Sequence, residues 1–475
     1  MKYLKNGKTG AALLLLLLVL CLCGAACAEE GSCGEAVTWK LEEGVLTVSG
    51  TGKINFAPWW ENETLRKGIR KVVIGDGVIA IAPYIFDECL RLEEAVIADS
   101  VTDIGDHAFY HCYGLRTVRL PEGLVRIGDC AFQYAAFETV TIPDSVTDIG
   151  ADVFAGCRYL KEIAVSAGNR SFCSADGVLF SRDMTRLRAC PAAKEGSYAV
   201  PDGVTVIEEG AFTNCAGLTA VTFPDSLTGI RGTAFYDCRG LTEVVIPEGV
   251  MTIGERAFFG CENLAKVSIP DSVARIGDGA FLSCGSLAEF EVSGENCVYE
   301  SRDGLLLNRT ESSLVYCPCG REGVCAIPEG VNAVGSWAFG YCEKLTGVII
   351  PESVSWIGWR AFAWTRDLAE ITVAEGNPFF CSEDGVLYNK DKTCLVACPA
   401  GKQGVLTVPD SVTEIGDDAF QHCAGVEVVL TDRIERIGKS AFFDSRARVT
   451  APAGSWAAEW LQENRESNSY KLTIR

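Results

Sequence analysis

Histidine is almost absent from the 475-residue sequence, which contains only His107, His111 and His422. The chain also lacks the G-x-S-x-G, Walker, H-E-x-x-H and dinucleotide-binding motifs that mark common catalytic and nucleotide sites. His107 and His111 have a spacing that suits two metal ligands on a helix, but it equally suits a solvent-facing turn. We therefore expect no enzyme activity, no cofactor and no metal site.

Basic residues are also scarce: the chain has 42 Lys and Arg residues and 63 Asp and Glu residues, which gives a formal net charge of -21. A surface of this charge repels the phosphate backbone of nucleic acids and the headgroups of anionic lipids. We therefore exclude nucleic acid as a partner and favour cationic partners or divalent ions.

Long apolar runs are confined to the start of the chain. Three lysines precede an apolar stretch from Ala11 to about Leu22, which is followed by an A-x-A site ending at Ala28. This pattern predicts a secretory signal over residues 1–28 and export to the medium or the cell surface. In the alternative, Cys27 is the lipidated residue of a lipoprotein, although Gly24 stands where that motif prefers Leu. No later run approaches 18 apolar residues, so we expect no transmembrane span in the mature chain.

Phenylalanine marks a repeated unit of about 23 residues. Twelve aligned phenylalanines follow one another at steps of 22 or 23, except for three steps of 58, as expected for insertions of one size. A unit this short cannot bury its own apolar face, so the units must stack into a solenoid. The twelve are Phe86, Phe109, Phe132, Phe154, Phe212, Phe235, Phe258, Phe281, Phe339, Phe362, Phe420 and Phe442.

A single unit indicates how each coil folds. Apolar and outward-facing residues alternate through residues 241–246, which predicts a short strand with one buried face. Pro247 has no N–H and ends the pairing. Phe258 and Cys261 then fall on one side of a short helical turn. Parallel strands stacked at about 4.8 Å would form one continuous sheet along the array, with the turns opposite.

The unit L-x-x-V-x-I-P-x-x-V-x-x-I-G-x-x-A-F-x-x-C resembles the BspA-type, or Treponema-type, leucine-rich repeat of bacterial surface and secreted proteins. The resemblance covers about residues 69–449, and residues 33–52 and 454–461 resemble the β-rich amino-terminal cap and the closing helix of such proteins. It implies a capped solenoid that binds host matrix proteins or other bacteria through its repeat surface.

The domain organisation follows from the repeat and its interruptions. Each insertion contains an Asp-Gly turn between apolar runs, followed 14 residues later by Cys-Pro, which predicts a β-hairpin built into the array. We expect a signal peptide (1–28), an amino-terminal cap (29–68), the repeat array (69–449) with insertions at about 166–200, 293–327 and 374–408, and a carboxyl-terminal cap helix and tail (450–475).

Nine of the 23 cysteines occupy one position of the repeat, three residues after the aligned Phe. Ala135, Thr365 and Ser445 replace Cys there, so the position requires a small inward side chain. Stacked Cβ atoms would lie farther apart than a disulfide allows, which favours a ladder of buried free thiols over cross-links. Zinc is a weaker alternative, because no C-x₂-C pair has a matching partner. The ladder comprises Cys89, Cys112, Cys157, Cys215, Cys238, Cys261, Cys284, Cys342 and Cys423.

Four further cysteines lie at equivalent places in two insertions. Cys173 precedes Cys190 by 17 residues, and Cys381 precedes Cys398 by the same interval. An exported chain permits a disulfide in each pair, and the sequence leaves their state open. The middle insertion has Glu300 at the first of these sites, so its bonding is open as well.

The remaining candidate for function is the surface. Outward strand positions form an acidic, partly apolar stripe, and tryptophans form a second patch, although both also fit an ordinary solvated face. We expect a non-enzymatic secreted or cell-surface protein that binds protein partners. The alternatives are a carbohydrate-binding or glycosidase-like accessory protein and a structural envelope protein. The candidate binding residues are Glu243, Val245, Glu289, Glu291, Ile349, Glu370 and Thr372 in the stripe, with Trp356 and Trp359 in the patch.

Overall fold

The computed structural model describes residues 29–464 and 470–475. The chain divides into two compact units between Val153 and Phe154. The predicted signal segment, including Cys27, lies outside the described residues. Within the described residues, strands and turns dominate, and the two α-helices are Glu63–Gly68 and Trp456–Glu463.

The first unit contains two ladders of strands. One begins as an antiparallel meander and continues with parallel strands, in the order Glu29–Ser32, Val37–Glu42, Val45–Gly50, Lys71–Ile74, Glu94–Ile97 and Thr117–Arg119. The other is parallel throughout and comprises Gly52–Ile54, Val78–Ile81, Asp103–Ile104, Arg126–Ile127 and Asp148–Ile149. Thr139–Ile142 is a further strand of this unit.

The second unit repeats the same two ladders, which we call the long-strand and short-strand ladders. The long-strand ladder begins with Glu162–Val165 and continues as four separate sheets. The first contains Gly196–Ala199 and Leu218–Thr222, and the second contains Glu243–Val245, Lys266–Ile269 and Glu289–Val292. The third contains Gly323–Ala326, Leu345–Ile350 and Glu370–Val373, and the fourth contains Gly404–Thr407, Val426–Val429, Arg448–Ala451 and Lys471–Ile474.

The short-strand ladder of the second unit forms three sheets, and each begins with a hairpin. The first contains Phe172–Ala175, Val178–Ser181, Arg186–Ala189, Val206–Ile207, Gly229–Ile230, Thr252–Ile253 and Arg275–Ile276. The second contains Tyr299–Arg302, Leu305–Asn308, Ser313–Tyr316, Ala333–Val334 and Trp356–Ile357. The third contains Phe380–Glu383, Val386–Asn389, Cys394–Ala397, Glu414–Ile415 and Arg436–Ile437.

The segment around each aligned Phe is a run of hydrogen-bonded turns. The amide of Phe259 donates within its own coil to the carbonyl of Arg256 at 3.1 Å, whereas the amide of Phe258 donates to Ala280 of the next coil at 2.8 Å. Arg256 adopts a positive φ of 52°, which turns the chain between these two directions. The short helical turn of the sequence interpretation is therefore a set of linked turns, bonded coil to coil as the strands are.

The aligned phenylalanines stack on one another inside the array and form the core that the sequence predicts. Phe258 is fully buried between Phe235 and Phe281, with ring centroids 5.0 and 5.4 Å away and planes within 4° of parallel. This phenylalanine column confirms the solenoid, because rings such as that of Phe258 are buried by the coils on both sides. Further stacked pairs, at 4.7 to 5.4 Å, are Phe86–Phe109, Phe109–Phe132, Phe212–Phe235, Phe339–Phe362 and Phe420–Phe442.

The Gly of the repeated Ile-Gly pair is required by the close approach of neighbouring coils. A Cβ added to Gly254 would lie 2.3 Å from the amide nitrogen of Gly232 and 2.4 Å from the carbonyl carbon of Arg231. No real side chain approaches backbone this closely, so only Gly allows the coils to stack at this point. Equivalent backbone approaches occur at Gly105, Gly128, Gly150, Gly277, Gly358 and Gly438.

Each insertion contributes a further coil, which the sequence interpretation did not recognise. After the first hairpin, Arg186–Ala189 pairs in parallel with Val206–Ile207 as an ordinary short strand. The amide of Cys190 then donates to the carbonyl of Ala211 at 2.6 Å. Phe235 makes the same bond to the next coil in a regular unit, so Cys190 occupies the place of an aligned Phe. Each 58-residue step is therefore one long coil of 36 residues and one of 22.

The continuous sheet expected along the long-strand face is interrupted at every insertion. Beside Glu289–Val292, the next position holds the Asp-Gly turn of a hairpin, and the amide of Phe290 donates to the carbonyl of Gly304 at 3.1 Å. Ile163 and Ile371 make the same bond, at 2.9 Å, to Gly177 and Gly385. The hairpin turn therefore takes the place of a strand and separates the sheets on either side.

Both ends of the described array are covered. Near the start, the indole N–H of buried Trp59 donates to the carbonyl of Ile85 at 2.9 Å, and its ring stacks on Phe86 at 5.6 Å. Near the end, helix Trp456–Glu463 begins at Ser455, whose hydroxyl accepts from the amide of Ala458. Strand Lys471–Ile474 pairs with Arg448–Ala451. The caps thus cover apolar coil ends and pair strand edges.

Candidate binding surface

The predicted acidic stripe lies on the outward face of the long-strand ladder. Glu243 pairs with Lys266, which pairs with Glu289, so the charges along this row alternate in sign. In the next row Val245 is 57% exposed. Glu291 binds the ammonium of Lys266, with Nζ and Oε1 3.0 Å apart. This contact lowers the pKa of Glu291, so the carboxylate stays ionised, and the positive charge of Lys266 offsets part of the negative charge of the stripe.

The remaining stripe residues belong to a different sheet. Ile349 lies opposite Thr372, and Glu370 lies opposite Gly347. The hairpin turn at Asp303 and Gly304 separates this group from Glu289–Val292. The structure therefore brings the seven stripe residues together as two patches, one around Glu243 and one around Ile349.

Trp356 and Trp359 lie in the coil that follows Phe339, and each is 53% exposed. Both line a cavity of about 360 Å³, whose apolar wall includes Cys394 and Val396 and whose polar wall includes Asp417. An open cavity of this size, with aromatic side chains at its rim, is typical of a small-molecule or peptide subsite.

A larger aromatic cluster begins at Trp359, which also lines this cavity, and was not found in the sequence. Trp337 meets Trp359 edge to face at 5.6 Å and lies 6.3 Å from Tyr341. Ring contacts continue across several coils on the turn side, some stacked and others edge to face or tilted. We call this set the aromatic row; its members are Tyr236, Phe259, Tyr341, Trp364 and His422, with centroid separations of 5.0, 5.6, 5.5 and 3.8 Å.

The members of the aromatic row share one sequence feature, which the structure makes evident. Each member follows an aligned Phe by one or two residues, as Tyr236 follows Phe235 and Trp364 follows Phe362. Because the turns stack coil on coil, these positions are neighbours in space although they are far apart in sequence. The sequence interpretation considered the tryptophans as a local cluster and therefore missed the row.

Arg360 connects the tryptophans to a carboxylate. Its guanidinium carbon lies 4.2 Å from the ring centroid of Trp359 and 5.4 Å from that of Trp337. Its Nε lies 3.4 Å from Oδ1 of Asp418. Burial raises the pKa of Asp418, and the neighbouring Arg360 opposes that shift. The stacked cation and its carboxylate hold the two indoles in a fixed arrangement, which reduces the entropy lost on binding.

The histidines considered as ligands lie among aromatic rings. His107 stacks on Tyr84 at 4.7 Å, and His111 stacks on Tyr134 at 5.3 Å. Within residues 29–464 and 470–475, no group of three or more His, Cys, Asp or Glu is placed to hold a metal ion.

The ladder cysteines are buried in the described chain, and four of them repeat one specific contact. The thiol of Cys261 donates to the carbonyl of Phe235, one coil earlier, at 3.2 Å. Cys112, Cys238 and Cys284 make the same contact to Phe86, Phe212 and Phe258 at 3.0 to 3.2 Å. At the substituted positions, hydroxyls also donate to carbonyls, from Ser445 to Cys423 and from Thr365 to Phe362. The position thus requires a small side chain, and a hydrogen-bond donor stands there in every unit except that of Ala135.

The disulfides left open in the sequence are not formed in the structure. Cys173 and Cys381 are half-buried free thiols, and Cys190 and Cys398 are buried free thiols. The thiol of Cys173 contacts the carbonyl of Ser181 and the sulfur of Met184, both at 3.3 Å, whereas the thiol of Cys190 contacts the carbonyl of Pro191. These separate environments give no support to the pairing within each hairpin.

Thiol labelling should distinguish these classes. In the reduced chain from residue 29, we expect Cys297, which is exposed, to react rapidly with a thiol reagent, and Cys261, which is fully buried, to react at least about a hundredfold more slowly, because labelling requires an opening that costs about 3 kcal/mol. Mass spectrometry of alkylated peptides over time would measure both rates. Similar rates in the native chain, or rapid loss of Cys261 before Cys297, would show that the ladder is not buried.

The BspA type leucine-rich repeat region model matches residues 69–175, 194–301, 316–383 and 401–451, which is more than half of the chain. The chain belongs to the BspA-type leucine-rich repeat family. The matched segments lie within the two ladders, and family membership supports a protein-binding repeat surface and, in general, a non-enzymatic role. Among the described residues, no helix has the length and apolar character needed to cross a bilayer.

Solved structures of other leucine-rich repeat proteins are similar to this BspA-type chain. A leucine-rich repeat protein from Eubacterium ventriosum is 21% identical, with a TM-score of 0.50, over 84% of this chain and 95% of that one. A leucine rich cell surface protein from Faecalibacterium prausnitzii is 23% identical, with a TM-score of 0.40, over 93% and 98%. One from Bacteroides ovatus is 21% identical, with a TM-score of 0.38, over 93% and 99%. No curated protein matches the chain.

Proposed function

We propose that this BspA-type protein is exported and acts, without catalysis, as an adhesion protein that binds protein partners on host matrix or other cells. The observation that carries the proposal is the pair of half-exposed indoles of Trp356 and Trp359, which lie beside the partly buried aromatic row and Trp337. Large apolar patches on a folded surface mark interaction sites, and Trp, Tyr and Arg are the residues most often responsible for binding energy.

The shape of the surface fits an extended partner. Rings in contact run across coils that are far apart in sequence, from Tyr236 to His422. The cavity beside Trp359 offers one deeper position, and the stripe around Glu243 offers charged contacts on the long-strand face. Many moderate contacts along a rigid array add up to useful affinity without a single dominant pocket.

Substitution of Trp359 should weaken binding selectively. We expect Trp359→Ala to lower affinity for a protein ligand about 30-fold, because a central, half-exposed indole contributes about 2 kcal/mol at a typical interface. The chain from residue 29 would be passed over immobilised extracellular-matrix proteins and bacterial surface proteins, and dissociation constants would be measured by biolayer interferometry.

Trp456→Ala provides the matched control, since Trp456 is a 42% exposed indole on the cap helix, away from the aromatic row. It should bind as the unsubstituted chain does. If no protein in either panel binds, adhesion is wrong and a structural envelope role is favoured. If Trp456→Ala weakens binding as much as Trp359→Ala does, the site is wrongly placed.

Carbohydrate binding is a second candidate, supported by one observation. Trp356 and Trp359 both present half-exposed rings at the rim of a cavity that also contains Asp417. Flat aromatic faces with nearby hydrogen-bonding groups are suited to stack against sugar rings. Glycan-array binding that is lost in both Trp356→Ala and Trp359→Ala would favour this candidate over protein adhesion.

A further inference from the structure

Three pairs of cysteines recur where each hairpin-bearing coil joins the next coil. In the first pair, Cys190 follows a short strand and precedes Pro191, and its amide donates to Ala211 at 2.6 Å. Cys215 is the ladder cysteine of that next coil. The equivalent pairs are Cys317 with Cys342 and Cys398 with Cys423, in which the first amide donates to Ala338 at 2.6 Å and to Ala419 at 2.7 Å.

The two thiols of each pair share one carbonyl oxygen. Sγ of Cys190 and Sγ of Cys215 lie 3.8 and 3.7 Å from the carbonyl oxygen of Pro191, and Sγ of Cys215 also lies 3.8 Å from that of Cys190. The second and third pairs repeat this arrangement around Pro318 and Pro399, with sulfur–oxygen distances of 3.6 to 3.8 Å, and Sγ of Cys342 and Cys423 lie 3.5 and 3.6 Å from the carbonyl oxygens of Cys317 and Cys398.

Regular ladder positions do not offer this contact. The thiol of Cys238 donates to the carbonyl of Phe212, and the Phe ring fills the space beside that carbonyl. At the junctions the aligned Phe is replaced by Cys190, Cys317 or Cys398. The substitution removes a ring and supplies a second sulfur at the same place, so among the described ladder cysteines this pairing occurs in the three coils that follow a hairpin-bearing coil.

The middle junction contains two further cysteines, and comparison with the other junctions shows which pair is common to all three. Cys319 and Cys325 lie near Cys317 and Cys342, and the thiol of Cys317 also contacts that of Cys325. At the other junctions, Ala192 and Ala400 stand in the place of Cys319, and Tyr198 and Leu406 in the place of Cys325. The pair that all three junctions retain is the one whose members are 25 residues apart.

We propose that Cys190–Cys215, Cys317–Cys342 and Cys398–Cys423 form disulfides that lock each hairpin-bearing coil to the coil that follows. The inference rests on the exported location within the proposed function, because disulfides persist in oxidising compartments. Each bond forms by thiol–disulfide exchange. One protein thiolate attacks an external disulfide and releases one external thiol, and the second protein thiolate attacks the resulting mixed disulfide and releases the other, which leaves one protein disulfide and two external thiols.

The buried setting determines when the bonds form. Burial, followed by the hydrogen bond from the partner thiol, raises the pKa of Cys215 and of Cys342 well above the ordinary range, and the bond to Cys398, followed by burial, does the same for Cys423. In the middle pair, burial opposes ionisation of Cys317, but the hydrogen bonds with Cys325 and Cys342 outweigh burial and lower the pKa of Cys317 to about 5. All six sulfurs are nevertheless buried, and a thiol that external disulfides cannot reach exchanges slowly. The pairs therefore oxidise while the chain folds, and the finished disulfides are protected from reductants afterwards.

Peptide mapping of refolded protein tests the proposal without any binding partner, so failure of adhesion and failure of these bonds are distinguishable. The chain from residue 29 would be reduced in denaturant, refolded in a buffer of reduced and oxidised glutathione, alkylated and digested without reduction. We expect three cross-linked peptide pairs, each two hydrogen atoms lighter than its separate peptides, all lost on reduction. We also expect reduction to lower the urea midpoint of unfolding.

Two sets of variants make the assignment specific. Combined Cys215→Ser, Cys342→Ser and Cys423→Ser should lose all three cross-links, and Cys190→Ala, Cys317→Ala and Cys398→Ala should lose the same three if the first set folds poorly. The control, Cys238→Ser, Cys261→Ser and Cys284→Ser, should retain them, since Ser445 shows that the ladder accepts a hydroxyl. Recovery of Cys173–Cys190, Cys381–Cys398 or Cys317–Cys325 peptides instead, or alkylation of all six thiols, would overturn the proposal.

Discussion

Phe258→Ala should lower the free energy of unfolding by about 3–5 kcal/mol, the range measured when a large buried side chain is removed and a cavity remains. Phe258 is fully buried and stacks on Phe235 and Phe281 at 5.0 and 5.4 Å. Its loss therefore removes contacts from two neighbouring coils as well as from its own. Urea denaturation followed by circular dichroism, with the midpoint and slope compared, would measure the change.

Phe379→Ala is the matched control, because Phe379 is 50% exposed. We expect its effect to stay within about 0.5 kcal/mol, as is usual for surface substitutions. A loss of less than about 1 kcal/mol in Phe258→Ala, or equal losses in the two variants, would contradict a shared phenylalanine core.

Gly254→Ala should cost about 2–3 kcal/mol although it adds a single methyl group. The new Cβ would lie 2.3 Å from the amide nitrogen of Gly232, and backbone cannot move aside as a flexible side chain can. The coils must separate locally, which weakens their hydrogen bonds and packing. The same denaturation experiment, supported by thermal unfolding, would detect the loss.

Gly285→Ala is the control for this effect. A Cβ at Gly285 meets no atom within 4 Å, and its φ does not lie in the left-handed region. We expect this variant to be neutral or up to about 1 kcal/mol more stable, since Ala restricts the unfolded chain. Equal tolerance of Ala at Gly254 and Gly285 would mean that close stacking is not what requires Gly in the repeat.

The sequence was sufficient for the period, the solenoid and the inward positions, because each depends on a pattern within one unit. The alternation through residues 241–246 and the spacing of the aligned phenylalanines follow directly from strand and coil geometry. The boundaries of the inserted segments could not be predicted in this way. The extra coils contain Cys190, Cys317 and Cys398 where the pattern has Phe, so an alignment on Phe treats whole coils as inserted residues.

The binding surface was predictable only in part, for a related reason. Exposure of Val245 and Glu243 follows from strand alternation, but the division of the stripe into two patches depends on where the turn at Gly304 docks. Similarly, the tryptophans stand out by composition, whereas the aromatic row exists because residues such as Phe259 and Tyr341 meet across coils. Contacts of that kind depend on stacking geometry, which no single repeat encodes.

The measurement that tests the account most directly is hydrogen–deuterium exchange of Phe258→Ala beside the unsubstituted chain. If neighbouring coils bury one another's rings, amide exchange should accelerate in the coils that carry Phe235, Phe258 and Phe281 and return toward normal with distance along the array. Faster exchange confined to the coil of Phe258, with its neighbours unchanged, would show that each coil is independently stable and would contradict the shared core.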